Sequence, residues 1–292
     1  MQKSFTYYLV LAILKFKNIK KIYQANPIDI KAVRRDDVKI PKDSFFSGNN
    51  ILKFCLYLTK VTAITNPNSQ KLILYIPGGA FVSGPAKHHW DTIKSIYKST
   101  NQNIWMLDYP KAPEYTIDQI QESIIHVYKK ALNQYDANKI VIIGDSAGAS
   151  LALCLKQILI NQHLSLPSKI IAICPVIDPT MSNPEIKLLE KSDPILAING
   201  VISAKKMCAQ NLDLTSPLLA PQSLPLITFK DTVFFLAQND IMYPDALKLT
   251  NQLKQQNIKH QVIIGQGMPH IWPILPVMSE SKKALKQIIA HL

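Results

Sequence analysis

From about residue 70 onward, short and nearly continuous apolar runs alternate with longer stretches in which apolar positions recur every three or four residues. The runs predict strands over 71–76, 103–108, 139–143, 169–174, 231–237 and 260–264. The stretches predict helices over 88–99, 115–133, 147–162, 243–256 and 279–292. Strands without alternating polar positions are buried on both faces, and helices between them supply the cover. The expectation is therefore an α/β protein with a mostly parallel central sheet and helices on both faces. In such sheets reactive side chains collect at the carboxyl ends of the strands.

Two regions fall outside this alternation. Residues 1 to about 50 are basic and partly helical, and about 178–216 is irregular, with Pro179, Pro184 and Pro194 as breakers. Both are expected to lie over the strand ends as a small helical cap on a single domain spanning 1–292, since 292 residues suffice for one large core.

The net charge of +13 is concentrated at the start of the chain, where eight Lys and Arg residues in the first 35 face Asp29 alone. No recognisable nucleic-acid module accompanies them, so nucleic acid is excluded as a partner. The apolar stretch 5–14 is too short to span a bilayer and precedes no small-residue cleavage site, which places the expected location in the cytoplasm. It reads as an amphipathic helix covering an apolar pocket of its own protein; weak contact with an anionic membrane through the basic N-terminus is the alternative. Cys55, Cys154, Cys174 and Cys208 lie far apart without Cys-x-x-Cys pairing and are expected to be buried free thiols in a reducing compartment.

The candidate chemistry centres on Gly144-Asp-Ser-Ala-Gly, between the strand at 139–143 and the helix at 147–162. A serine on a sharp strand-to-helix turn has its Oγ pushed beyond the sheet edge, and the flanking glycines avoid collisions with neighbouring backbone. Ser146 is the expected nucleophile. A serine hydroxyl needs a histidine to take its proton and an acid to orient that histidine, in the chain order Ser, acid, His. Of the downstream histidines, His163 ends a helix, His260 begins a strand and His291 adjoins the C-terminus, whereas His270 leaves the last strand at its carboxyl end. His270 is the expected base. Asp240, on the loop after the preceding strand, is the expected acid; Asp245, in the first turn of the next helix, and Asp178 are the rivals. Pro77-Gly-Gly-Ala follows the strand at 71–76 and offers an oxyanion hole: the N–H groups of Gly79, Ala80 and Ala147, with Gly78 allowing the tight turn.

Pro77-Gly-Gly-Ala, Asp108-Tyr-Pro-Lys-Ala-Pro-Glu, Gly144-Asp-Ser-Ala-Gly, Gln238-Asn-Asp and Met268-Pro-His occur in that order. Over residues 70 to 280 the chain thus resembles the α/β-hydrolase superfamily, and within it the hormone-sensitive-lipase-like bacterial esterases. The resemblance implies an α/β-hydrolase fold with a cap that includes N-terminal helices, and hydrolysis of short-chain acyl or acetyl esters. Pro77 stands where that family usually has histidine, and Lys111 where its Tyr-Arg-Leu segment has arginine. Asp108 and Glu114 read as structural acids behind the oxyanion turn. The expected partner is a small-molecule ester, with no metal or cofactor; a homodimer is left open. A non-catalytic small-molecule binder on the same fold, or an amidase or deacetylase with the same triad, are the alternative functions.

Overall fold

In a computed structural model of the chain, residues 3–48 and 50–292 are described. In order, the elements are α1 (Phe5–Phe16), α2 (Ile19–Ile22), α3 (Ile30–Arg34), β1 (Ile51–Leu56), β2 (Thr59–Ile64), β3 (Leu72–Ile76), α4 (Lys87–Thr100), β4 (Asn103–Asp108) and α5 (Ile117–Leu132). The second half holds β5 (Ile140–Asp145), α6 (Ala147–Asn161), β6 (Lys169–Ile173), α7 (Pro184–Glu190), α8 (Ile198–Ala209), β7 (Thr232–Ala237), α9 (Tyr243–Gln255), β8 (His260–Gly265) and α10 (Ser279–Ala290).

The eight strands form one sheet in the order β1-β2-β4-β3-β5-β6-β7-β8, antiparallel at β1–β2 and β2–β4 and parallel from β4 to β8. Side chains of a strand alternate between faces, and this alternation divides the core in two. Leu72, Leu74 and Ile76 of β3 join a cluster with residues of α5, α6 and α9, while Ile73 and Tyr75 join one with residues of α4 and α10. Both faces are therefore covered, as the unbroken apolar runs require.

The hairpin of β1 and β2 lies outside the predicted strands. Its outer strand β1 is largely half-buried or exposed, and its turn passes through Tyr57 with φ 51°, so neither a continuous apolar run nor a turn glycine marks it. Cys55 on β1 is exposed, a correction to the expectation of four buried thiols; Cys154, Cys174 and Cys208 are buried. An edge strand with one wet face leaves room for an exposed side chain.

The segments outside the alternation meet each other. Lys20 Nζ donates to the carbonyl oxygens of Glu190 and, at 2.8 Å, Asp193. The Ile28 N–H donates to Ser203 Oγ at 2.9 Å, and α8 lies so close to the carbonyl of Tyr23 that a Cβ on Gly200 would fall 1.7 Å from its oxygen. Among the described residues no helix is long and apolar enough to cross a membrane.

Candidate active site

The register Ile76↔Gly144, Asp145↔Ile173 and Ala237↔Gly265 brings the carboxyl ends of β3, β5, β7 and β8 to one edge of the sheet. β5 runs straight into Ser146, whose φ 50° and ψ −122° turn the chain sharply into α6. Non-glycine residues at positive φ are uncommon and are held there by their surroundings. Here the Ser146 N–H is tied to the Ile173 carbonyl at 2.8 Å. The flanking glycines have a steric cause: a Cβ on Gly144 would fall 2.5 Å from the Gly148 oxygen, and one on Gly148 2.0 Å from the Ile76 oxygen.

Ser146 Oγ is 2.9 Å from His270 Nε2, and His270 Nδ1 is 2.6 Å from Asp240 Oδ2. His270 and Asp240 are buried, so the bond between them is shielded from water, while Ser146 is half-buried at the cavity. With Nδ1–H donating to the carboxylate, Nε2 is left to accept the serine proton. The other Asp240 oxygen accepts the Met242 N–H at 2.9 Å, which fixes the carboxylate from the opposite side. Burial disfavours the imidazolium, but the charge and hydrogen bond of Asp240, reinforced by Asp193 and Asp145, outweigh it and hold the His270 pKa above its ordinary value.

The rivals lie elsewhere. Asp245 accepts from Asn183 Nδ2 at 2.8 Å, and Asp178 accepts from the hydroxyls of Thr180 and Ser182. His260 Nδ1 faces the Ile258 carbonyl at 2.7 Å, and His163 and His291 follow the ends of α6 and α10.

On the other side of Ser146, Pro77–Ala80 folds into a turn with positive φ at Gly79 (123°), Ala80 (54°) and Phe81 (66°). The N–H groups of Val82 and Ser83 both return to the Gly79 carbonyl, at 3.0 and 2.9 Å. Among the hydrogen bonds of the described residues, none is donated by the N–H of Gly79 or Ala80. The Ala147 N–H opens α6, where the first backbone donors have no partner within the helix and carry its positive dipole end. Gly78 packs against the residue before the nucleophile; a Cβ there would fall 2.4 Å from Asp145 Oδ2.

Asp145 is a residue whose part in the site the sequence did not signal. It is buried and accepts from Tyr75 Oη at 3.1 Å and from His89 Nε2 at 3.2 Å. His89 Nδ1 accepts the Ala86 N–H at 2.8 Å, which fixes its proton on Nε2. Asp145 is burdened by burial, but the histidines His89 and His88 and the Gly78 N–H outweigh that, and its pKa stays below the usual carboxylate value. The nucleophile, the oxyanion turn and α4 are thereby tied together through one carboxylate.

Asp193 is a second buried acid of the site without a mark in the sequence. Its Oδ1 accepts the N–H groups of Ile195 and Leu196 at 2.8 and 2.9 Å, and its Oδ2 accepts the N–H of Ile241 at 3.0 Å. Burial and the nearby charge of Asp240 push its pKa up to about 6. Asp193-Pro194 sits in an irregular segment, where an aspartate before proline reads only as a turn.

Among the described residues, two clusters bring three residues of metal-ligating type within 4.8 Å of one another: His88, His89 and Asp145, and Cys174, Asp240 and His270. Neither is arranged as a ligand set. A ligating histidine donates its other ring N–H outward, whereas His89 accepts at Nδ1 and turns its proton toward Asp145. In the second cluster Asp240 and His270 already spend their facing atoms on each other, and their remaining ones on the Met242 N–H and on Ser146 Oγ.

Above Ser146 and His270 lies a mostly apolar cavity of about 310 Å³. Its walls include Val10, Ile13 and Leu14 of α1, Ile195 and Leu196 of the 178–216 segment, and Val277 after the His270 loop.

A profile of the alpha/beta hydrolase fold matches residues 73–274. The chain belongs to this family. An esterase of Acinetobacter venetianus is 27% identical over 224 residues, 76% of this chain and 74% of its own. The esterase LipU of Mycobacterium tuberculosis is 24% identical over 230 residues, 75% of this chain and 76% of its own. Among solved structures, an esterase of the bacterial hormone-sensitive lipase family superposes with a TM-score of 0.83 at 21% identity, covering 99% of this chain and 98% of that one.

In this alpha/beta hydrolase the two positions that depart from the hormone-sensitive-lipase-like pattern, Pro77 and Lys111, are both held by local contacts. The Tyr109 hydroxyl donates to the Pro77 carbonyl at 3.0 Å, so the turn is held through its backbone where no histidine is present. Lys111 pairs with Asp108 Oδ1 at 3.2 Å and lies 3.7 Å from the centre of the Tyr109 ring. Close by, Arg34 of α3 grips Glu114 through two hydrogen bonds of 2.7 and 2.6 Å and also donates to the carbonyls of Val82 and Ala112. Planar two-point pairing of this kind sets geometry as well as charge, and it fastens the N-terminal segment to the oxyanion turn.

Proposed function

We propose that the chain is a serine carboxylic-ester hydrolase that cleaves short-chain acyl or acetyl esters through an acyl-enzyme. The observation that carries this reading is the unbroken path from Ser146 Oγ through His270 to Asp240 on the floor of an apolar cavity. His270 Nε2 takes the Ser146 proton as Oγ attacks the ester carbonyl carbon. The charge that develops on the carbonyl oxygen is met by the N–H groups of Gly79, Ala80 and Ala147. The imidazolium, stabilised by Asp240, gives its proton to the departing alkoxide and the C–O bond breaks. Water enters, loses a proton to His270 and attacks the acyl carbon; collapse of the second tetrahedral species returns the proton to Ser146 and releases the acid.

The size of the cavity supports small esters. Ligand pockets run from about 300 to 1,000 Å³, and this one, at about 310 Å³, stands at the lower end. Within a single domain spanning the chain, residues 1 to about 50 and about 178–216 act as the cap, consistent with their mutual hydrogen bonds and with α1, Ile195 and Leu196 in the cavity wall. Hydrolysis of p-nitrophenyl esters of increasing acyl length tests the reading. Turnover is expected to be greatest for acetyl to butyryl esters and to vanish in Ser146→Ala; an optimum at long chains, or near-normal activity in the variant, would refute it.

A further inference from the structure

The helix that walls the cavity has a second face. α1 is pinned to the body by its inner side: Tyr7 and Val10 are buried, the Tyr7 hydroxyl donates to the Gly267 carbonyl at 3.0 Å, and the Ser4 hydroxyl donates to Glu280 Oε2 at 2.7 Å. Thr6 Oγ1 adds a bond to Ser279 Oγ at 3.1 Å. At 3.6 residues per turn, Phe5, Leu9, Ala12 and Phe16 then share the opposite side, with Tyr8 and Ile13 at its margins. All six face solvent, and Phe5 and Phe16 are 82% and 88% exposed. A pinned helix does not turn this face inward, so two aromatic rings and their aliphatic neighbours stand as a fixed apolar ridge on the surface.

The ridge is bordered by charge of one sign. Lys15 and Lys17 are exposed near the end of α1 and Lys21 is exposed in the next turn of chain. Lys20, by contrast, is turned inward to the carbonyls of Glu190 and Asp193. Acidic groups near the helix are already engaged or set back: Glu280 accepts from Ser4, Asp37 accepts the Gly84 N–H, and Asp36 lies 3.7 Å from Arg35. A protein partner of opposite shape would satisfy the apolar ridge but gives no reason for its basic border. Interfacial helices combine large apolar side chains on one side with lysines that reach anionic headgroups.

We propose that the outer face of α1 docks on an anionic lipid surface. Ile13 belongs both to this face and to the cavity wall, and Lys17 and the exposed Val277 complete the same rim. Docking would therefore set the rim of the Ser146 cavity against the lipid layer. Binding itself needs no catalysis; only delivery of a lipid-dissolved ester to Ser146 rests on the proposed function.

Flotation with phosphatidylcholine vesicles, with and without phosphatidylglycerol, tests the docking, and running Ser146→Ala beside the wild type separates binding from hydrolysis. Both proteins are expected to float with the anionic vesicles only, and to lose binding as salt rises from about 0.1 M to about 1 M. Phe5→Ser/Phe16→Ser and Lys15→Glu/Lys21→Glu are each expected to weaken partitioning by about tenfold or more, with hydrolysis of a soluble ester retained. If the phenylalanine variant proves unfolded by circular dichroism, the lysine variant decides alone. Absence of wild-type binding to anionic vesicles, undiminished binding by the variants, or a wild-type dimer that Phe5→Ser/Phe16→Ser turns into a monomer without any vesicle binding would overturn the inference. The last result would assign the ridge to a second copy of the chain.

Discussion

Asp193 accepts the backbone N–H of Ile241, the residue that follows Asp240, while its other oxygen holds Ile195 and Leu196 in the cavity wall. One buried carboxylate thus links the surface that would meet an acyl group to the loop that carries the proposed catalytic acid. Asp193→Asn keeps the shape but puts an amide in place of one accepting oxygen. Leaving a buried donor unsatisfied costs about 1–3 kcal/mol, so kcat/KM should fall roughly 10- to 100-fold if that cost appears in the transition state. The substitution also removes one of the charges that hold the His270 pKa up. The midpoint of the acid limb of kcat/KM should therefore move to lower pH, a shift that a merely structural role would not produce.

Asp240→Asn tests the orientation of the base. An amide in this position can donate to Nδ1 and favour the tautomer with its proton on Nε2, facing Ser146 instead of away from it. A fall in kcat of roughly 10³–10⁴-fold is expected, with little change in thermal stability, measured with p-nitrophenyl acetate.

The pH dependence follows from the raised His270 pKa. Histidine acts as a base only when neutral, so kcat/KM should rise with pH about a midpoint above the ordinary 6.5. Stability runs in the opposite direction. Protonation of His270 favours the folded state fully below the unfolded value, and this contribution is lost as pH rises through the higher folded-state pKa. Denaturant unfolding of wild type and His270→Gln at several pH values should show the difference between them shrinking from acid to alkaline conditions.

Much of this arrangement was legible in the chain itself, because strands buried on both faces leave long apolar runs and reactive loops follow their ends. Ser146, Asp240 and His270 stand in such loops, and the structure brings those three side chains within hydrogen-bond distance. The hairpin of β1 and β2 was not legible, since an edge strand with a wet face carries no unbroken run. Asp145, His89, Arg34 and Asp193 escaped for a different reason. Each depends on at least one partner far away in sequence, Asp145 on Tyr75 and His89, Arg34 on Glu114 and Asp193 on Ile241, and no local pattern marks such a pairing.

Gly148→Ala tests the elbow. Its new Cβ would fall 2.0 Å from the Ile76 oxygen, a backbone atom with no rotamer to escape into. Overpacking of this kind costs about 1–3 kcal/mol, and the backbone clash puts the expected loss at the upper end. Thermal unfolding should show that loss, together with reduced turnover as β3 and the oxyanion turn are pushed away from Ser146.

The most direct measurement is the site of covalent capture by a fluorophosphonate, which reacts rapidly only with an activated serine. Peptide mapping by mass spectrometry should find one adduct, on Ser146, formed quickly in the wild type and at least about a hundredfold more slowly in His270→Ala. A wild-type protein that stays unlabelled, or is labelled at another residue, would contradict the assignment of Ser146 as nucleophile.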